Sequence, residues 1–392
     1  MRRTLVCLTA LAVSFIWVGD ASATSQASRR TGLDCSTCHN GFPRLNSFGE
    51  AYMRAGYTIP DLMTSSDNAD GTKSPKRLVL DSVSDYFGVR LNVDAVSWVD
   101  GGTGDDEVSF GNDKWSQFFI MGPIADQFSF FTEIEITTSN THHSWWKLGW
   151  HPNRKVNVVL GNQSPIDHSS FSNRLRILPA VKSAAYGLTT SGGAGVNSVN
   201  ASSARPGIQI HGEIGEQFVY YTGISNGRGQ DTSLLNYWGG LRYYLPTDGS
   251  FEGTSFSATY YTGSDLDAAT EMIENDFSWW MPAANLRFNG FDLQVYGRLV
   301  TEDNRLFDPA PGVMSVDYDG WGATAGWLLR DGLIQPALQY DKIDGSAVTS
   351  EVETLVAACS YFPRDNLRVA VYFQSDLVGD ADKAFINVRM MF

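Results

Sequence analysis

Residues 128–136 read FSFFTEIEI, and the parity of that stretch decides the fold. Phe128, Phe130, Thr132, Ile134 and Ile136 share one side of an extended chain, and Ser129, Phe131, Glu133 and Glu135 share the other. A two-residue repeat places successive side chains on opposite faces of a strand. Here one face is apolar and the other carries charge, so the two faces call for different solvents. The pattern recurs outward from this stretch. Val89, Leu91, Val93 and Ala95 alternate with Arg90, Asn92 and Asp94. Leu293, Val295 and Leu299 alternate with Asp292, Gln294, Tyr296 and Arg298. Leu367, Val369, Val371 and Phe373 alternate with Arg368, Ala370, Tyr372 and Gln374, and Ile386, Val388, Met390 and Phe392 with Asn387, Arg389 and Met391. This dyad repeat marks strands with lipid on one side and a polar interior on the other.

Candidate strands start near residues 88, 114, 127, 144, 155, 207, 217, 236, 254, 277, 291, 320, 333, 352, 366 and 384. Their connections alternate in length. Short turns are expected at 122–126, 151–154, 212–216, 289–290, 330–332 and 363–366, and longer loops at 100–113, 162–206, 263–276, 301–319, 341–351 and 375–383. Short periplasmic turns and longer outer loops belong to outer-membrane barrels. The expectation is therefore an all-β protein: a transmembrane outer-membrane β-barrel of about sixteen antiparallel strands over residues 85–392. Trp115, Trp145, Trp146, Trp150, Trp279, Trp280, Trp321 and Trp327 fall near expected strand ends, as an interfacial belt requires. A soluble sandwich gives no reason for alternating loop lengths, and no blade-length repeat points to a propeller. The net charge of −14 excludes a nucleic-acid partner, which needs a basic surface. Outer-membrane lipid is the partner that the strands imply.

The N-terminus supplies the second element. Arg2 and Arg3, the apolar run from Leu5 to Val18 and Ala21-Ser22-Ala23 form a secretory signal peptide over residues 1–23. The exported chain keeps Cys35, Cys38 and Cys359. Cys359 reads as an inert, inward-facing thiol on the parity of Glu353 and Leu355. Cys35-Ser36-Thr37-Cys38-His39 is the attachment motif of c-type haem. Its two thiols form thioethers to the vinyl groups and the adjacent imidazole reaches the iron. The motif occurs once, so one covalently bound haem c is expected, with Cys35, Cys38 and His39 holding it. Pro43 is expected to open a helix whose Leu45, Phe48 and Tyr52 form one apolar face, closed by Gly56. For the sixth iron ligand Met63 is favoured, with Met53 as the alternative and His211, inward by parity with Gln209, as a further candidate. The expected organisation is signal peptide 1–23, helical monohaem cytochrome c segment 24–64, linker 65–84 and barrel 85–392.

Several residues admit two readings. His142 and His143 beside Trp145-Trp146 read as a metal pair or a wet loop. His151 falls in a short turn, and His168 lies beside Asp167 in the 162–206 segment. That segment, with Arg174, Arg176 and Lys182, either folds into the lumen as a constriction or extends outside. Acidic loops around Asp100–Asp113, Asp265–Asp276 and Glu302–Asp319 form either a solvated surface or a mouth that concentrates cations.

Cys35 to His39, followed by Pro43, Leu45, Asn46, Phe48, Gly49 and Gly56-Tyr57, resembles the haem segment of the fused outer-membrane monohaem cytochrome–porins. Those proteins are best known as iron(II) oxidases of iron-oxidising bacteria. The match covers residues 35–57. The resemblance implies an Fe(II):cytochrome c oxidoreductase of the bacterial outer membrane, with both termini periplasmic or lumenal. It would take an electron from an extracellular donor, Fe(II) above all, and pass it through one haem to a periplasmic c-type cytochrome. Two alternatives remain at this stage: a diffusion porin with a structural haem plug, and outward electron transfer to an external acceptor.

Overall fold

The computed structural model describes residues 25–58, 83–100, 106–125, 127–137, 141–184, 205–227, 234–246, 249–266, 274–303, 315–330, 332–344, 351–379 and 381–392. The signal peptide, Met63 and most of the linker lie outside the described residues. Among the described residues four short helices come first: α1 (Gln26–Thr31), α2 (Cys35–Cys38), α3 (Ser47–Arg54) and α4 (Val83–Tyr86). The strands follow as β1 (Phe87–Val99), β2 (Glu107–Ala125), β3 (Phe128–Ile136), β4 (Thr141–Asn153), β5 (Val156–Gln163), β6 (Arg205–Ile214), β7 (Phe218–Asn226) and β8 (Leu235–Tyr244). The second half adds β9 (Ser255–Leu266), β10 (Glu274–Phe288), β11 (Phe291–Glu302), β12 (Val316–Trp327), β13 (Ile334–Ile343), β14 (Val352–Arg364), β15 (Leu367–Asp376) and β16 (Ala381–Met391). Each strand pairs antiparallel with its sequence neighbours, and β1 closes the cylinder on β16.

Closure follows from the solvent. A strand in lipid has no water for its N–H and C=O groups, so an open edge is untenable. The seam runs from Arg90 opposite Met391 to Val99 opposite Lys383. Phe392 completes it: its N–H donates to the Val89 carbonyl at 2.9 Å, and the Val89 N–H donates back at 2.6 Å. The face assignment holds along the wall. Leu241, Leu299 and Leu338 lie on the outside at 47%, 58% and 50% exposure, whereas Asn285, Arg298 and Gln339 are buried in the lumen.

The structure corrects four local expectations. Strand β2 starts at Glu107 rather than near residue 114, because Glu107 to Phe110 pair with Val99 to Val96 and shorten the expected 100–113 loop. Cys359 faces outward. Val356, Ser360 and Phe362 are the buried positions of β14, and Glu353 misled the parity because it sits at the loop end, where it accepts from Tyr340. Three tryptophans leave the expected belt for the lumen. Trp279 is fully buried, Trp115 lies against the Arg389 guanidinium at 5.4 Å, and Trp145 lies beneath Lys147 and Arg174. Trp150, Trp280, Trp321 and Trp327 stay on the outside. His151 belongs to the end of β4 rather than to a turn.

The lumen is not a plain water channel. The helical segment 25–58 lies inside the mouth ringed by the short turns, where its partners are the β1 start, the β2 and β6 ends and the β10–β11 hairpin. The segment after β5 turns inward and dips across the interior. Ile166 and Phe171 join an apolar cluster with Tyr221, Trp238, Tyr261, Phe277, Trp279 and Tyr296. Leu178 and Val181 join a second with Val356, Tyr372 and Phe385. For the described part of this segment, residues 164–184, the inward-folded reading is the one realised.

A charge placed on the outer apolar face tests the lipid assignment. Leu338→Arg, mid-strand in β13, is expected to cost about 2–4 kcal/mol of stability. Urea unfolding in lipid vesicles measures it, and a lumen-facing change at Gln339 serves as the comparison.

Candidate functional site

The cysteine motif forms a single helical turn. Asp34 precedes α2, and the His39 N–H closes the turn on the Cys35 carbonyl at 3.0 Å. Spacing of three residues puts both thiols on one side of the helix. The next helix begins later than Pro43 suggests, because Asn46 is its cap: the Asn46 side chain accepts from the Gly49 N–H at 2.9 Å and donates to the Thr37 carbonyl at 2.9 Å. One residue thus starts α3 and ties it to the motif turn. Gly49 is required at this contact, since a Cβ there would collide with the Cys38 carbonyl oxygen.

Cys35, Cys38 and His39 line a cleft with Leu33, Phe48 and Tyr52. Phe48 and Tyr52 are the expected apolar face of α3. His39 Nδ1 lies 3.0 Å from the Pro43 carbonyl and 3.3 Å from that of Arg44. A carbonyl only accepts, so Nδ1 carries the proton and Nε2 keeps its lone pair. Burial pushes the His39 pKa down, against the small upward pull of those carbonyls, so the ring is neutral. Two thiols one turn apart and a neutral imidazole with a bare Nε2 fit the donor set of a covalently attached haem. Met53 does not share this cleft; it lines a separate cavity with His151, His168 and His211. The structure therefore sets Met53 and His211 apart from the cysteine pair.

Buried ion pairs hold the segment in the barrel. Arg44 pairs with Asp292 of β11 and donates to Asn285 of β10 at 2.8 Å. Glu50 binds Arg242 of β8, accepts from Tyr244 at 3.1 Å and lies 3.7 Å from Arg287 of β10. Arg54 donates to Glu213 of β6 at 3.2 Å and to Tyr244 at 3.1 Å. The inward-folded segment meets the same unit from the other side. The Leu45 N–H donates to the Arg174 carbonyl at 3.2 Å, and Arg44 Nε donates to that of Leu175 at 3.0 Å. From there it climbs back, with Ser183 donating to Asp341 at 2.5 Å and Arg298 donating to the Ala184 carbonyl at 3.0 Å.

The chain is similar in fold to solved outer-membrane porins. It superposes on Salmonella typhi OmpF in complex with daunomycin with a TM-score of 0.55 at 14% identity, covering 78% of this chain and 97% of that one. It superposes on OmpT from Vibrio cholerae lacking loop L8 with a TM-score of 0.53 at 11% identity, covering 78% and 98%. No family model and no curated protein matches the sequence. The chain is thus a closed sixteen-strand barrel of the outer-membrane porin fold.

Sequence reasoning located the cysteine motif and His39 and placed His211 inward. It missed the plug's anchors, Arg44, Glu50 and Arg54. Each pairs with a residue more than a hundred positions away, and no local pattern marks such a pair. A cation or carboxylate on a short amphipathic helix beside an unpaired inward charge on a strand is the signal that could have found them.

Burial would push the Glu50 carboxyl up, but the Arg242, Arg287 and Arg54 guanidinium groups outweigh it and hold the pKa below its usual 4.5. A depressed carboxylate stabilises the docked state above its unfolded pKa and loses that contribution as pH falls through the lower, folded value. Amide hydrogen exchange in α3, corrected for intrinsic rates, is expected to show constant protection near neutrality and a loss below the usual carboxylate range. Glu50→Ala removes the carboxylate paired with Arg242, while Arg287 keeps Asp292 at 3.6 Å, and is expected to weaken docking by about 3–5 kcal/mol at neutral pH in the same measurement.

Proposed function

We propose that the chain is an electron-transfer protein of the bacterial outer membrane. It carries an electron from an extracellular donor, Fe(II) by the resemblance above, to a c-type cytochrome in the periplasm. Cys35 and Cys38 would hold one haem c by thioether bonds, with His39 as the proximal iron ligand. When bound, that group supplies a one-electron store within a low-dielectric wall.

The observation that carries this reading is the His39 ring, neutral and pinned through Nδ1 beside two thiols one helical turn apart. The chain's own residues do the positioning. The Pro43 and Arg44 carbonyls set the tautomer and aim Nε2. Leu33, Phe48 and Tyr52 supply the apolar part of the cleft's lining. Arg44, Glu50 and Arg54 seat the segment at the mouth ringed by short turns, the periplasmic end of an outer-membrane barrel. The inward-folded segment spans the interior from the long-loop end to this unit, so packed protein bridges the two sides.

The test is haem staining and visible spectroscopy. The purified chain is expected to retain haem through denaturing electrophoresis, and Fe(II) is expected to convert its oxidised spectrum to the reduced one. The Cys35→Ala, Cys38→Ala double variant is expected to lose the covalent stain. A haem-free purified chain, or an oxidised spectrum that Fe(II) leaves unchanged, overturns the reading.

The porin fold favours a second reading, a diffusion channel gated by the helical segment. Planar-bilayer conductance separates the two. A conduit for electrons needs no open lumen and is expected to be nearly silent, with conductance rising severalfold on deletion of residues 25–58. Solute-sized conductance in the intact chain would favour the channel.

A further inference from the structure

Three of the chain's six histidines converge in one cavity beside the plug, although they come from distant segments: His151 from β4, His168 from the inward-folded segment and His211 from β6. Asp167, Gln163, Gln209 and Met53 complete the polar and thioether part of its lining. The His168 and His211 rings lie 4.3 Å apart between centroids. The cavity offers about 40 Å³ to water-sized occupants, room for a small ion with little solvent.

The hydrogen-bond inventory of this cavity is lopsided. His211 Nε2 lies 3.1 Å from the Arg54 carbonyl, so Nε2 carries the proton and Nδ1 carries a lone pair. That Nδ1 is buried with no partner. Buried and unpartnered as well are His168 Nδ1, Asp167 Oδ1, Gln163 Oε1 and Gln209 Oε1. The Gln163 amide is fixed in orientation, since its Nε2 donates to the Val159 carbonyl at 3.0 Å. Among the lining residues, then, the orphaned atoms are ring nitrogens and carbonyl-type or carboxylate oxygens. No lining amide, guanidinium or ammonium nitrogen is left over in the same way. Buried polar atoms are normally paired, and residues with unpartnered acceptors around one cavity suit an occupant that takes lone pairs, a metal ion with its waters.

We propose that this cavity binds a divalent first-row transition-metal ion through His168 and His211. The ligand chemistry selects the class. Imidazole suits zinc, copper, iron and nickel, whereas calcium and magnesium require shells of oxygen. The charged neighbours sharpen that choice. Lys147 binds the other oxygen of Asp167 at 2.6 Å, and Arg174 lies over the Phe131 and Trp145 rings. Two cations beside one carboxylate disfavour an ion held by charge alone and leave one held by nitrogen. His151 is a wall rather than a ligand, because Asn157 engages its Nδ1 at 2.9 Å and Ser129 its Nε2 at 2.8 Å. Among the described residues no three histidine, cysteine, aspartate or glutamate side chains are gathered to hold an ion. Two imidazoles therefore form the anchor, and water with the nearby amide and carboxylate oxygens completes the shell. Helix α3 lies between the two sites: Tyr52 lines the cysteine cleft and Met53 the histidine cavity.

The inference rests on the cavity alone and holds whether or not electrons pass through the chain. The probe is Cu(II) added to the full purified chain, read by electron paramagnetic resonance. One bound ion per chain with nitrogen superhyperfine splitting from two imidazoles is expected, displaced by excess Zn(II). His168→Ala and His211→Ala are each expected to weaken binding by more than about tenfold, in folded protein selected by heat-modifiable gel migration. The His142→Ala, His143→Ala double variant is expected to leave the signal unchanged. If the two cavity variants do not fold, the nitrogen count in the unaltered chain decides. A spectrum without nitrogen splitting or a signal lost in the His142/His143 variant overturns the proposal. None of these outcomes bears on reduction by Fe(II), so the two readings fail separately.

Discussion

A strand that crosses a bilayer can satisfy its backbone only with another strand. That constraint closes the sheet, and closure turns a ribbon with two faces into an object with an outside and an inside. Apolar side chains go to lipid, and charged side chains in the middle of the strands are forced into a shared interior. Arg242, Arg287, Arg298 and Arg368 are all buried there. Such a crowd of guanidinium groups is tenable only with counter-charges, and part of that need is met from outside the wall. Glu50 of the helical segment neutralises Arg242 and Arg287, while Arg44 of the same segment answers Asp292. Plug and wall are therefore one electrostatic unit rather than a barrel with an accessory.

That unit explains why so short a helical segment keeps a defined shape. Its helices are too short to be stable alone, and it buries little apolar surface of its own. The motif turn is locked to α3 through Asn46, α3 is locked to the wall through Glu50 and Arg54, and the inward-folded segment covers it through the Arg174 and Leu175 carbonyls. A position such as His39 inherits its precision from this chain of contacts. Its Nδ1 partners, the Pro43 and Arg44 carbonyls, are fixed because Arg44 itself is held by β10 and β11.

The wall was legible in the sequence because its rule is local. Alternation along β3, β11, β15 and β16 gave both the strands and their faces. Local reading failed where a strand leaves the apolar band. Glu353, at a rim, reversed the parity assigned to Cys359, and Trp115, Trp145 and Trp279 were counted into the belt although they fill the lumen beside arginine and tyrosine. The cysteine motif was legible because thioether chemistry fixes its spacing. Docking partners and the histidine cavity were not. They join residues whose separation in the chain exceeds any periodicity, and a lone His151 or His168 is indistinguishable in sequence from a solvated loop histidine.

One side of the β1–β16 seam is the first strand after the helical segment, and Phe392 fastens that seam to Val89. A peptide already enclosed by wall and infolded segment cannot be threaded in afterwards through a mouth it fills. The order of biogenesis is thereby constrained. On the proposed function, a group joined to Cys35 and Cys38 would be joined in the export compartment, before the last zippering step of membrane insertion. Loading would then come first and insertion second, and a finished cylinder would be a record of maturation.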